Sequence, residues 1–105
     1  MSVNDLIRKM PAALNTAAAA DMQATIQYSI SNPMYIVIDN GQCTAHDGVA
    51  PSPDVNLKMS DDDMAALLKG ELNGMAAFMS GKLKAEGDLM LAQRLPGLFD
   101  ASKLP

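Results

Sequence analysis

The side chains in this sequence that could perform chemistry are few and dispersed. Cys43 and His46 are its only thiol and its only imidazole. A cysteine nucleophile needs its base within hydrogen-bond reach. Gln42 to Asp47 reads as a strand, and an offset of three then sets the two side chains on opposite faces, unable to share a proton in one pocket. Asp61, Asp62 and Asp63 form the densest carboxylate group. Adjacent helical positions point in different directions, and no other ligand cluster accompanies them, which disfavours a metal site. Three acids directly after Ser60 match instead the first turn of a helix, where the dipole is positive. Asp39 and Asp47 flank a hairpin as solvated strand ends, and Tyr28 and Tyr35 read as core or cavity-wall residues. No Gly-rich phosphate loop follows a strand in the required pattern. An enzyme acting alone has the least support, because no acid–base pair is visible; no cofactor and no metal are expected.

The elements that position these residues follow from patterning. Ser2 with Asp5 makes a capping-box pattern, and Val3, Leu6, Ile7 and Met10 recur on one helical stripe. Pro11 is expected to end or kink that helix near Met10. Ala17 to Ala20 fits a helical turn or a loop. From Met22 to Ile30 apolar and polar residues alternate without exception, predicting a strand with one buried and one wet face. Asn32-Pro33 turns the chain, Met34 to Asp39 is a second strand, and Asn40-Gly41 is a strong hairpin signal before a third strand, Gln42 to Asp47. Gly48 to Pro53 is a loop. Asp54 to Met59 alternates again, with Val55, Leu57 and Met59 inward. A helix with Met64, Leu67 and Leu68 on its buried stripe follows and ends at Gly70. A second short helix is predicted over Leu72 to Met79 and stops at Gly81. Lys82 to Glu86 is the last strand, with Leu83 and Ala85 inward, and Asp88 caps a final helix. Ser80, Gly81, Gly87 and Asp88 read as structural stops and starts.

Composition narrows the function classes. The 105 residues allow one domain, 1–105, with one core. Apolar residues make up 49% but aromatics only 4%, and methionine supplies 9 residues. Methionine is unbranched and polarizable, so it fills irregular core spaces or lines a compliant cavity; composition by itself favours the first use. The net charge of −4 and pI near 4.6 argue against a nucleic-acid-binding face, which needs clustered basic residues. One cysteine excludes an internal disulfide framework and fits a reducing compartment. The N-terminal residues lack the apolar core of a signal peptide, and no apolar run approaches the ~20 residues that span a bilayer. Ser102-Lys103-Leu104 spells a peroxisomal address, but such signals are read at the very end of a chain and Pro105 follows. A cytoplasmic location is expected.

The last helix carries the functional argument. Leu91, Leu95 and Leu98 share one face, with Ala92 and Phe99 beside them, while Leu89 and Met90 fall elsewhere. A helix apolar nearly all round must be covered on several sides. A ligand beneath it, a partner subunit above it, or a membrane surface could supply that cover. Pro96-Gly97 interrupts its interior bonding, so a kinked or frayed, loose lid is expected.

Three segments carry a resemblance. Asp54-Val55-Asn56-Leu57-Lys58-Met59-Ser60-Asp61, Ala77-Phe78-Met79-Ser80-Gly81-Lys82-Leu83-Lys84 and Glu86-Gly87-Asp88-Leu89-Met90-Leu91-Ala92 strongly resemble the sterol carrier protein 2 domain. The order of elements resembles it over the whole chain. The resemblance implies an α/β (α+β) fold, a five-stranded, mostly antiparallel sheet covered by helices on one face. It also implies an apolar tunnel between sheet and helices, partly closed by the C-terminal helix. Members of the family bind sterols, phospholipids, fatty acids and fatty acyl-CoAs with loose selectivity; some are parts of larger enzymes and others stand alone, as this chain is expected to. Pro96-Gly97 departs from the family pattern in the last helix. The short form looks like a bacterial cytoplasmic protein.

Periodicity and family pattern together assign the ligand-facing residues. Met64, Leu67, Leu68, Met75, Phe78 and Met79 are expected on the paired helices, and Leu91, Leu95, Leu98 and Phe99 on the last. Ile26, Tyr28, Ile36 and Leu57 are expected to form the sheet floor. The expected function is non-enzymatic binding or carriage of a lipid-like molecule (sterol, fatty acid, fatty acyl-CoA or phospholipid), with transient membrane contact as a further expectation. The competing reading is an interaction module whose apolar last helix docks on another subunit, as in a homodimer, or on an enzyme.

Overall fold

Ser2 opens the first helix, α1 (Val3–Ala13), with a reciprocal cap. Its hydroxyl accepts the Asp5 amide and the Asp5 carboxylate accepts the Ser2 amide, both at 3.2 Å. Two N–H groups that the first turn cannot pair internally are thereby satisfied. The computed structural model describes residues 2–104. Against the expected break near Met10, α1 runs through Pro11 to Ala13. Pro11 stands in the last turn, so it forfeits only its own amide bond, and the Leu14 amide still bonds its carbonyl at 3.5 Å. Val3, Leu6, Ile7, Met10 and Ala13 form the buried stripe. Ala17 to Ala20 lies in a turn.

The three strands β1 (Gln23–Ser29), β2 (Met34–Asp39) and β3 (Gln42–Asp47) form the expected antiparallel meander. Asn40 and Gly41 both have positive φ, 48° and 83°, as a tight hairpin turn of this hand requires. The chain then crosses back so that β4 (Val55–Lys58) lies parallel to β1, and β5 (Lys84–Gly87) pairs antiparallel at the edge. The sheet order is β3-β2-β1-β4-β5.

Alternation predicts a solvated Gln27, yet it is 2% exposed. Its face of the sheet carries no helix, but the returning loop folds over it. The Gln27 amide nitrogen donates to the Met34 and Gly48 carbonyls at 3.1 Å each, and its oxygen accepts the Ala50 amide at 2.7 Å. A buried polar side chain with all these bonds pins the loop that makes the parallel pairing possible.

Ser60 caps α2 (Asp61–Leu68) by accepting the Asp63 amide at 3.2 Å. The acidic triplet is therefore a helix start, and Asp61 also accepts the Ser31 amide at 2.9 Å. The next helix, α3 (Gly74–Met79), starts later than predicted because Asn73 caps it, accepting the Ala76 amide at 3.0 Å. Leu72 is left in the connection. Asp88 caps α4 (Leu89–Leu98), accepting the Leu91 amide at 3.0 Å. Pro96-Gly97 does not end α4, and its two ends are held. The Asp88 amide bonds the Asp54 carbonyl at 2.8 Å. Beyond Pro96-Gly97, the Asn15 amide bonds the Leu98 carbonyl at 2.7 Å and the Asp100 amide bonds the Ala13 carbonyl at 2.9 Å. A segment tied in this way to Asp54, just before β4, and to the end of α1 replaces the expected loose lid. A short 3₁₀ turn, Ala101–Lys103, follows.

All four helices cover one sheet face. α1 packs on β3 and β2, whereas α4 packs on β4 and β5. Leu6, Ile7, Ile26, Met34, Ile36, Ile38, Val55 and Met64 are, with Tyr28, the largest fully buried side chains.

Candidate functional site

A cavity of about 680 Å³ lies between the β1-β4-β5 side of the sheet and helices α2 to α4. Strand register builds its floor. Tyr28 pairs with Leu57 across the parallel pair, and Leu57 with Ala85 across the antiparallel one, so the three side chains share the helix-covered face. One wall comes from Leu67 and Leu68 of α2, Leu72 and Gly74, and Met75 and Phe78 of α3.

The other wall explains why α4 is apolar nearly all round. At 100° per residue, Leu91, Leu95 and Leu98 form one stripe, exposed by 6%, 8% and 2%, that enters the core. Leu89, Ala92 and Pro96 form a second stripe along the cavity, and Leu95 touches both. Phe99, Ala101 and Leu104 close the end beneath Met10 of α1. The core covers one stripe of this helix and the cavity runs along a second, while Leu89, Met90 and Pro96 stay exposed.

The structure places Tyr28, Leu57, Leu67, Leu68, Met75, Phe78, Leu95 and Phe99 on the cavity wall. The other assignments move. Ile26, Ile36 and Met64 are buried in the core, as are Leu91 and Leu98 on the inner stripe of α4, and none of them lines the cavity. Met79, at the end of α3, points to solvent with 79% exposure. Leu83, Leu89, Ala92 and Leu104 line the cavity without having been assigned there. Leu83 was legible as inward-facing; Leu104, within the discounted targeting tripeptide, carried no signal.

The wall is electrically plain. No charged side chain lines the cavity among the described residues; the polar ones are Tyr28, Asn73 and Gln93. Asn73 uses its side-chain oxygen to cap α3 and Gln93 is exposed, which leaves the Tyr28 hydroxyl as the inner polar group. Burial pushes its pKa up, keeping it protonated. Cys43 and His46 stand on opposite faces as expected, paired across the sheet with Ile38 and Tyr35. The Cys43 thiol, burdened by desolvation, is pushed up to about 11 and is no nucleophile at neutral pH. His46 stacks on Tyr35 with ring centres 5.0 Å apart, and its Nε2 lies 2.8 Å from Thr44 Oγ1. No group of three or more His, Cys, Asp or Glu residues that could hold a metal occurs among the described residues.

Large apolar side chains crowd the outside of this region. Met75 and Phe78 line the cavity yet are 54% and 47% exposed, so they stand at its mouth. Leu89 stands there too, with Met79 and Met90 exposed nearby on the same two helices.

A mixed five-stranded sheet with helices on one face is the architecture of sterol carrier proteins. The chain resembles Sterol Carrier Protein 2 from Yarrowia lipolytica (apo form) with a TM-score of 0.74 and 25% identity, over 97% of this chain and 88% of that one. It resembles palmitated SCP2L2 from Aedes aegypti with a TM-score of 0.66 and 28% identity, over 90% of this chain and 91% of that one. Residues 3–100 match the SCP-2 sterol transfer family, and the chain belongs to it. Human Stomatin-like protein 1 is 32% identical over an alignment of 97 positions that covers 86% of this chain but only 24% of that protein.

Proposed function

We propose that this chain binds one lipid-like molecule without transforming it, in a tunnel formed by the cavity, and carries or presents it. The observation that supports this reading is an apolar, uncharged cavity of about 680 Å³, within the range of small-molecule sites. Apolar burial at roughly 25 cal/mol per Å² would supply the affinity, less the cost of association. A relative of the same fold described as palmitated adds support for an acyl chain as guest. We place the work in the cytoplasm, where the lone Cys43 stays reduced.

Loading at a bilayer surface is the second part of the proposal. Met75, Phe78, Met79, Leu89 and Met90 form an apolar rim around the mouth, the kind of patch that marks an interaction surface. The same rim supports the competing reading, a homodimer or enzyme-accessory module. Native mass spectrometry of freshly purified protein separates the two: a monomer with co-purified lipid supports the carrier, and a ligand-free dimer the module. Transfer of a fluorescent fatty acid between vesicles tests the loading step. The Met79→Ser/Met90→Ser double variant should slow transfer while leaving affinity for the free probe unchanged; unaltered transfer removes the rim from the mechanism.

A further inference from the structure

We infer that Tyr28 is an internal head-group anchor, selecting lipids whose polar end is an uncharged oxygen (an alcohol, ketone or ester) and binding that end inward. This inference rests on the carrier reading above and adds ligand class and orientation to it.

The Tyr28 residue is only 1% exposed and lines the cavity floor. Strand pairing with Leu57 and Met34 fixes its side chain on the helix-covered face. Its hydroxyl has no hydrogen-bond partner among the described residues, yet no side-chain nitrogen or oxygen there is both sealed off and unpartnered. The hydroxyl therefore opens onto space, and for so buried a residue that space is the cavity. A buried hydroxyl without a partner loses the hydrogen bonds that water would give it. Gln27, the neighbouring buried polar side chain, has every such bond made. The contrast marks Tyr28 as a group whose partner arrives with a ligand.

The rest of the wall decides what that partner is. A carboxylate or phosphate brought inward would find no Lys, Arg or His on the described wall. One neutral donor does not offset the desolvation of an ion. A neutral oxygen pays far less to enter and is matched by one hydroxyl. Ligands with ionised heads then bind reversed, chain inward and head at the mouth, where Gln93 is exposed.

The test uses dodecan-1-ol, dodecanoate at pH 8 and dodecane, each delivered from cyclodextrin, with wild type and Tyr28→Phe. Loss of one hydrogen bond should weaken dodecanol about fivefold in the variant, with dodecane and dodecanoate unchanged. The variant's ligand-free melting temperature should hold or rise, since no protein bond is removed. With 13C at Cζ of the two tyrosines, dodecanol should shift one wild-type signal that dodecane leaves in place. Equal weakening of dodecanol and dodecane, or none of dodecanol, overturns the anchor while the carrier reading stands. Failure of all three probes to bind wild type overturns the carrier reading and the anchor with it.

Discussion

The helical layer covers the sheet in two ways. Under α1, Leu6, Ile7, Ile36 and Ile38 lie in the filled core and are at most 1% exposed. Between α2 to α4 and the β4–β5 edge, an equally apolar set encloses empty space. Hydropathy does not separate the two regions. Gly74, Ala85, Ala92 and Ala101 are among the residues that line the hollow region. Protein interiors close to crystal-like density when facing side chains are large enough. Small residues on elements whose spacing is fixed elsewhere leave a vacancy.

That fixing makes the largest effect predictable. Gly87 ends β5 with φ of 104°, and a Cβ there would run into the Asp54 carbonyl. The same carbonyl holds the Asp88 amide that starts α4. Gly87→Val should therefore cost about 3 kcal/mol or more in urea unfolding, combining a strained φ with a backbone clash. A loss below half of that would show that the edge of the hollow region yields, and that its spacing is not rigid.

Truncation should then separate the two regions in opposite senses. Ile36→Ala opens a cavity in filled core and should cost about 3 kcal/mol, with probe affinity per folded molecule unchanged. Phe78→Ala removes a half-exposed ring at the cavity mouth and should cost below about 1 kcal/mol, while weakening a fluorescent fatty-acid probe severalfold. Similar stability losses in both variants would erase the distinction. Filling is the milder converse. Ala92→Leu adds three carbons to the cavity wall and should weaken the probe about fivefold, with the ligand-free melting temperature held or raised because unfilled space is being occupied. A lowered melting temperature would mean that the space beside Ala92 is smaller than it looks.

How far the sequence discloses this contrast follows from what each pattern reports. Period-two alternation, the Asn40-Gly41 turn and the Ser2, Ser60 and Asp88 caps are local, so the strands and most helix starts were legible. The motif segments added the family and, through it, the sheet cover. Burial against protein and burial against a cavity leave the same apolar mark, so Ile26, Ile36, Met64, Leu91 and Leu98 could not be told from Leu57 or Leu68. The small residues that create the space looked like helix and strand formers. Two further misreadings have tertiary causes. Gln27 looked solvated because the loop covering it arrives from more than twenty positions away, and Pro96-Gly97 looked like a break because the bonds that hold the segment run to Ala13 and Asn15.

The smallest expected effect concerns titration, and it again divides the regions. Cys43 lies on the helix-covered face in the α1 half, and burial pushes its thiol up to about 11. Burial first, and then the charge of a Cys43 thiolate, raises the Tyr28 hydroxyl on the hollow side in the same direction. A raised folded-state pKa means that the unfolded chain releases the proton first. The thiol's contribution is complete below its ordinary value of about 8.5 and is lost as the pH climbs toward about 11, whereas the hydroxyl's begins to fall only above the ordinary tyrosine value of about 10. Melting temperature followed by circular dichroism should therefore fall over that interval. Cys43→Ala removes the thiol's share, so its slope should be shallower than wild type whether or not the cavity is filled. Tyr28→Phe should also flatten the slope, because the unfolded variant has no hydroxyl at this position to release a proton; a bound dodecanol, which keeps the folded hydroxyl protonated, should raise the melting temperature without flattening the wild-type slope. If Cys43→Ala and Tyr28→Phe combined changed the slope far more or far less than the sum of their separate effects, the thiol and the hydroxyl would be one strongly coupled environment, and the division between a filled and a hollow half would fail.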